Sequence, residues 1–324
     1  MLKRIIITNY RDESIVYRIG DAQANLYKDT NWDAPEASGL LITSIEGLGP
    51  VKANVNMTEL TTTDGGRFNS ARLDYRNIVI KAVFVHANSI EDARLLSYKY
   101  FPIKKKVKIR IETDNRTAET EGYVESNEPE IFSKSCGCQI SILCESAFFN
   151  AADNDAEQII RFSSTVPLFK FPFGNESTSQ RLIKIGEFIA KRDSVITYKG
   201  DSENGITLKI HFYGNVGAFT IYNVDAGEKI TIDPAKLPLI PSLSGSDPIF
   251  IDGDEIDICT LQGKKSIYLL RGGVAYNILN LLDKNSAWFK IFKGDNRFVY
   301  ETATEAQAQF MELIIVAGVI YEGV

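Results

Sequence analysis

The stretch Leu60–Ile80, LTTTDGGRFNSARLDYRNIVI, gathers the side chains of this 324-residue chain that are best equipped for recognition chemistry. Arg67, Arg72 and Arg76 follow a threonine run and an Asp64-Gly65-Gly66 turn, with Phe68, Asn69 and Tyr75 between them. A guanidinium presents five donors in a planar fork that matches a carboxylate or a phosphate, and exposed aromatic side chains are the usual anchors of protein interfaces. A phosphate-gripping loop needs glycines that open a helix behind a strand, and neither the spacing nor the surroundings supply that here. Ordinary connections run about 4–6 residues, so a polar stretch of this length needs another explanation. Beta-branched Thr61–Thr63, a DGG reversal and the apolar Ile78–Ile80 together describe a hairpin arm.

Signatures of catalysis fail one by one. The chain holds no GxGxxG, GxxxxGK[ST], HExxH or GxSxG. Gly263-Lys264-Lys265-Ser266 resembles the end of a phosphate loop, but Ile258 stands where the first glycine belongs, so a hairpin turn is expected. Asp252–Asp257, DGDEID, resembles a calcium loop except that Ile256 fills a ligand position and Asp257 replaces the required glycine. Cys136, Cys138, Cys144 and Cys259 match no zinc spacing, and with only His86 and His211 to add, they read as small buried hydrophobes. The expectation is a protein with no catalytic residues, no cofactor and no metal.

The elements that must position the arm are mostly strands. Ile103–Glu112 alternates Ile103, Val107, Ile109 and Ile111 against Lys104, Lys106, Lys108 and Arg110, and Gly205–Tyr213 alternates in the same way. Turns are expected at Asp225–Glu228, Gln262–Lys265 and Lys293–Asn296. One helix is expected to start at Ser89 as N-cap, with Asp92 as its capping-box acid, and to stop before Pro102. A shorter helical turn is expected at Ala275–Leu282. The fold class is therefore mainly β. The net charge of −6 and pI near 5.2 disfavour a nucleic-acid binder, and the row of lysines reads as a solvated face or one set against acidic groups. No stretch approaches the roughly 20 apolar residues of a membrane helix, so no membrane insertion is expected.

The segment Ile42–Phe84 resembles the N-terminal region of the distal tail (Dit) proteins of long-tailed, non-contractile (siphovirus-type) bacteriophages and prophages. The resemblance rests on Ile45-Glu46-Gly47-Leu48-Gly49-Pro50, on Asp64-Gly65-Gly66 followed by Asn69-Ser70-Ala71-Arg72, and on Arg76-Asn77-Ile78. It continues through Val166–Gly174, Thr220–Asn223, Ile251–Gly253, Gly263-Lys264-Lys265, Asn277–Leu282, Trp288-Phe289, Gly294-Asp295-Asn296 and Tyr321–Val324. It implies a β-sandwich-like ring domain over residues 1–155 with one helix and a long hairpin, a linker over 156–174, and a galectin-like β-sandwich over 175–324. It further implies a homo-hexameric ring at the distal end of the phage tail, made in the host cytoplasm and built into the virion. That ring joins the tail tube protein to a tail-associated lysin or tip protein, with receptor-binding proteins as further partners. Phage DNA passes through it without specific binding. Functional residues are then subunit contacts, and Arg67, Phe68, Asn69, Arg72, Tyr75 and Arg76 are the candidates. The alternative is a carbohydrate-binding module in the second domain, with Trp288 as a stacking residue.

Overall fold

The computed structural model of the chain describes residues 2–12, 14–18, 40–59, 64–84, 89–130, 137–167 and 186–324. Cys136, His86, the expected arm tip at 60–63 and the remainder of the expected linker, 168–174, lie outside them. The chain divides into two units, Met1–Ala156 with Ile320–Val324, and Glu157–Val319.

The first unit is built from β1 (Leu2–Asn9), β2 (Ser14–Arg18), β3 (Leu40–Glu46), β4 (Ala53–Glu59), β5 (Gly66–Leu73), β6 (Arg76–Phe84), α1 (Ile90–Tyr100), β7 (Lys106–Thr113), β8 (Thr117–Glu130), β9 (Gly137–Cys144) and β10 (Phe149–Ala151). Its main sheet runs β2-β1-β7-β8-β9-β6-β3, antiparallel throughout, with β10 on a second edge of β8. The period of two in the sequence becomes the core directly. Ile78 and Ile80, Val107, Ile109 and Ile111, and Ile140 and Ile142 are all essentially inaccessible, each contributing on the order of 1.5–3 kcal/mol of transfer energy. Cys138 and Cys144 lie on the same buried side, and burial pushes the Cys138 thiol up to about 12.

Helix α1 begins as its sequence indicates. The Ser89 hydroxyl accepts the Asp92 amide at 3.1 Å and donates to the Asp92 carboxylate at 2.7 Å. It ends where Phe101, fully buried, returns its amide to the Ser97 carbonyl ahead of Pro102. The strand expected from Ile103 starts only at Lys106. Ile103 is exposed and Lys104 takes a positive φ of 64°, because the chain must first turn out of the helix. Three of the four outward basic residues are paired within the unit: Lys106 with Glu121, Lys108 with Glu119 at 2.6 Å, and Arg110 with Glu112, Glu119 and Asp153.

The second unit contains β11 (Glu157–Arg161), β12 (Ser163–Pro167), β13 (Gly186–Ala190), β14 (Asp193–Tyr198), β15 (Asn204–Gly205), β16 (Thr207–Phe212), β17 (Phe219–Asn223), β18 (Glu228–Ile232), β19 (Glu255–Cys259), β20 (Ser266–Arg271), β21 (Val274–Asn277), β22 (Lys290–Ile291), β23 (Gly294–Thr302) and β24 (Met311–Gly318). A six-stranded sheet, β11-β24-β16-β19-β20-β21, faces a four-stranded one, β14-β23-β17-β18. Phe212 of the first meets Phe219 of the second at 6.0 Å between ring centroids, and Phe250 stacks on Phe212 at 4.9 Å. Two expectations are corrected here. Glu157–Pro167 is strand rather than linker, since Ile159 and Ile160 register against Val316 and Ile315. Ala275–Leu282 is not a helical turn throughout: Val274–Asn277 closes the sheet edge against β20, and only Leu279–Leu281 forms a 3-10 turn.

The final strand, β25 (Ile320–Tyr321), belongs to the first unit, where it pairs with β10. The second unit is thus an insertion in the first. The expected domain 175–324 loses its last five residues to unit 1, because their hydrogen-bonding partners lie there.

Candidate interaction arm

Among the described residues, strands β4 and β5 pair only with each other, as a two-stranded ribbon. Every residue of both strands is exposed. Their register runs from Ala53 opposite Leu73 to Glu59 opposite Gly66, with an irregularity between Asn56 and Met57 that leaves Asn69 without an opposite residue. That one-residue bulge decides which side chains share a face, since a shift of one in a strand reverses its faces. Ala53 opposes Leu73, Val55 opposes Ala71 and, beyond the bulge, Met57 opposes Phe68. These six residues form one apolar face. The other face carries Asn54, Asn56, Thr58, Arg67, Ser70 and Arg72. Asn69 joins it, its amide donating to the Thr58 hydroxyl at 2.6 Å and the Asn56 carbonyl oxygen at 3.5 Å.

The arm is therefore amphipathic yet covered on neither face. Val55, Met57 and Phe68 are 50%, 56% and 58% exposed, and Tyr75 at its base is 63% exposed. A lone two-stranded ribbon is marginal in water at best, and among the described residues nothing covers this apolar face. Of the arginines, Arg67 is exposed, and Arg72 meets Asp74 at 3.5 Å with its side chain 77% exposed.

Arg76 differs from the other candidates. It is 1% exposed and occupies the same parity on β6 as Ile78 and Ile80. Its five N–H donors all reach backbone carbonyls: Nη1 reaches Gly47 at 2.5 Å and Gly49 at 2.7 Å, Nη2 reaches Ala147 and Glu322 at 2.7 Å each, and Nε reaches Ala147 at 3.2 Å. The Phe149 ring lies 4.1 Å beneath the guanidinium carbon. Burial lowers its pKa from the ordinary arginine value, with the nearby Cys144 acting in the opposite sense. With every donor engaged inside its own unit, Arg76 has none to offer a neighbouring subunit. Parity with Ile78 and Ile80 was the available signal, and the arginine triplet obscured it.

The cage depends on a glycine. Gly47 has φ of +87°, and a Cβ there would lie 2.0 Å from the Asn77 carbonyl oxygen, so no other residue can aim this carbonyl at Arg76. Gly47–Pro50 lies in the connection from β3 to β4, and Arg76 opens β6 after the short Asp74-Tyr75 connection from β5. The base of the arm and the cage are thus one structure.

The motifs weighed above have structural roles. Gly263 turns the β19–β20 hairpin, with Lys264 returning its amide to Leu261. Asp254, inside the acidic run, is buried against Arg271 at 2.5 Å. Phe289 is core, whereas Trp288 is half-buried with the Lys265 ammonium 5.5 Å from its ring centroid. Among the described residues no group of three or more His, Cys, Asp or Glu side chains is arranged to hold a metal ion. Among them too, no helix is long and apolar enough to cross a membrane.

No protein-family model and no curated protein matches this chain. Solved structures do. The SPP1 Dit (gp 19.1) protein, described as a paradigm of hub adsorption apparatus in Gram-positive infecting phages, matches at a TM-score of 0.57 and 9% identity, over 96% of this chain and 98% of that one. Two structures of the phage P2 baseplate in its activated conformation, with Ca and with Sr, match at TM-scores of 0.41 and 13% identity, over 98% of this chain and 99% of theirs. The SPP1 match covers both units, and the chain has the mainly β fold of a Dit protein.

Proposed function

We propose that this chain is a structural hub of a bacteriophage tail tip, located in the virion at the distal end of the tail. Six copies close into a ring that joins the tail tube to a tail-associated lysin or tip protein and presents the second unit for receptor-binding proteins. The observation that carries this reading is the amphipathic arm, exposed on both faces in a chain with the fold of a hub protein. A ring is made of heterologous contacts, so each copy must present two different complementary surfaces. A projecting ribbon laid on the next copy supplies one of them.

The arm's faces then have separate tasks. Val55, Met57, Phe68 and Leu73, with Tyr75 at the base, are the apolar contact, and covering each contributes on the order of 1–3 kcal/mol. Arg67, Asn69 and Arg72, on the opposite face, set register and meet carboxylates at the rim. Arg76 holds the arm's base and leaves the set of contact residues. Native mass measurement across a range of concentrations tests the reading. The full chain is expected to give a hexamer, and deletion of Thr62–Asn69 a monomer with both units folded. A hexamer that survives this deletion overturns the role of the arm, and a full chain that stays monomeric even with its tail partners overturns the ring.

A further inference from the structure

The last five residues, Ile320–Val324, occupy unit 1 in the manner of a bound peptide. Tyr321 and Ile320 pair antiparallel with Phe149 and Asn150 on the edge of β10. The Tyr321 ring lies 4.4 Å from the Arg116 guanidinium carbon, and Arg116 Nη1 donates to the Gly323 carbonyl at 3.1 Å. The Val324 amide donates to the Leu48 carbonyl at 3.1 Å, and the Glu322 carbonyl accepts from Arg76. Ile320 and Tyr321 are 8% and 6% exposed. Gly323 passes so close to the lead-in to the arm that a Cβ would meet the Leu48 carbonyl oxygen at 3.1 Å and Gly49 Cα at 3.2 Å. Side chains, backbone polarity and shape all match this one segment.

What the segment touches gives the consequence. Leu48 and Gly49 lie in the segment that joins β3 to β4, and Arg76 opens β6 two residues beyond the end of β5, so the connections at both roots of the arm meet the pentapeptide or its arginine. Among the described residues the arm has no other strand to fix its direction. We propose that a peptide-binding groove, lined by Gly47–Gly49, Arg76, Arg116 and the β10 edge, is filled in cis by Ile320–Val324, and that this filling sets the base of the arm for docking on a neighbour. The docking step rests on the proposed function; the effect on the base does not. A chain must traverse the second unit before it can supply the segment, so the arm is set only in a copy whose synthesis has passed both units. Until then Arg76 lacks one of its four carbonyls and the β10 edge stands open.

The experiment compares the full chain with one ending at Val319, using hydrogen exchange read by mass spectrometry together with native mass. Truncation is expected to speed exchange at residues 47–53 and 74–78 by about tenfold or more, while β7 and β16 keep their protection. Oligomer yield should fall with it. Adding the synthetic peptide IYEGV, but not its scramble GEVYI, should restore protection at both roots. Should truncation unfold unit 1, the full-length variant Gly323→Leu replaces it, since it keeps the segment but forbids its close passage, and the same local loss is expected. Unchanged exchange at 47–53 in both variants overturns the proposal. Faster exchange at the roots with an unaltered hexamer keeps the groove and overturns its link to docking. A full chain that is monomeric throughout, yet shows the exchange effect, removes the ring reading alone.

Discussion

Two antiparallel hairpins of unit 1, β7–β8 and β4–β5, have similar lengths and opposite fates. In β7–β8 the inner row Val107, Ile109, Ile111, Ala118 and Val124 is at most 1% exposed, and the outer row pairs lysine and arginine with glutamate. Both faces are satisfied inside the chain. In β4–β5 an alternation interrupted by one bulge leaves Val55, Met57 and Phe68 half or more exposed. Alternation therefore builds a covered strand or an exposed one from the same pattern, and the difference is whether the described residues supply a covering layer.

Disrupting the anchored side of this comparison should cost most. Arg76→Ala leaves four carbonyls without their donor, and the expected loss is about 3–5 kcal/mol of unit 1 stability, measured by urea denaturation. A loss below about 1 kcal/mol would break the view of Arg76 as the anchor. Next comes the buried hairpin: Ile109→Ala should cost about 2–4 kcal/mol through the cavity it leaves. Phe68→Ala, on the exposed hairpin, should stay within about 0.5 kcal/mol for the dilute monomer. In the ring proposed above it should nonetheless cut oligomer yield sharply in native mass spectra, and equal destabilisation of the monomer by both substitutions would erase the contrast.

A smaller effect comes from Glu312 of unit 2, which is satisfied internally as the arm is not. Burial alone would raise its pKa, but the Ser163 hydroxyl at 2.5 Å, the Tyr213 hydroxyl at 2.8 Å and the Arg161 and His211 side chains outweigh this and lower it below the ordinary 4.5. A depressed carboxylate contributes stability that is complete above its unfolded pKa and lost as pH falls through the folded value. Thermal melts of the wild-type chain should fall more steeply below pH 4.5 than those of Glu312→Gln. Smallest of all, Lys108→Ala removes one exposed ion pair with Glu119 and should cost less than about 1 kcal/mol, vanishing in high salt.

Much of this was legible in the sequence because it depends on local rules. Ser89 and Asp92 announced the helix start, the alternation over β7 and β16 announced half-buried strands, and the DGG reversal announced the arm. Others failed where distant partners decided the outcome. The strand expected from Ile103 starts late because the helix must first be turned, and Ala275–Leu282 splits because β20 offers its edge. Glu157–Pro167 is strand because β24 and β13 are waiting for it.

The sequence by itself determined a mainly β chain with one capped helix, a hairpin arm turning at Asp64-Gly65-Gly66 and no recognisable catalytic constellation, since periodicity, turn residues and motif spacing are properties of neighbours along the chain. It set the arm within Leu60–Ile80, whereas the ribbon starts at Ala53 and Ile78–Ile80 belongs to the main sheet. Tertiary structure alone decided that Arg76 is an anchor and Arg67 and Arg72 are not. Three arginines within ten residues look equivalent in a string, yet a buried guanidinium is tolerable only where acceptors converge on its five donors, and the four carbonyls that do so are those of Gly47, Gly49, Ala147 and Glu322. The bulge at Asn69 was equally invisible. It places Phe68 beside Met57 rather than beside Arg67's neighbours, and so gives the arm its apolar face.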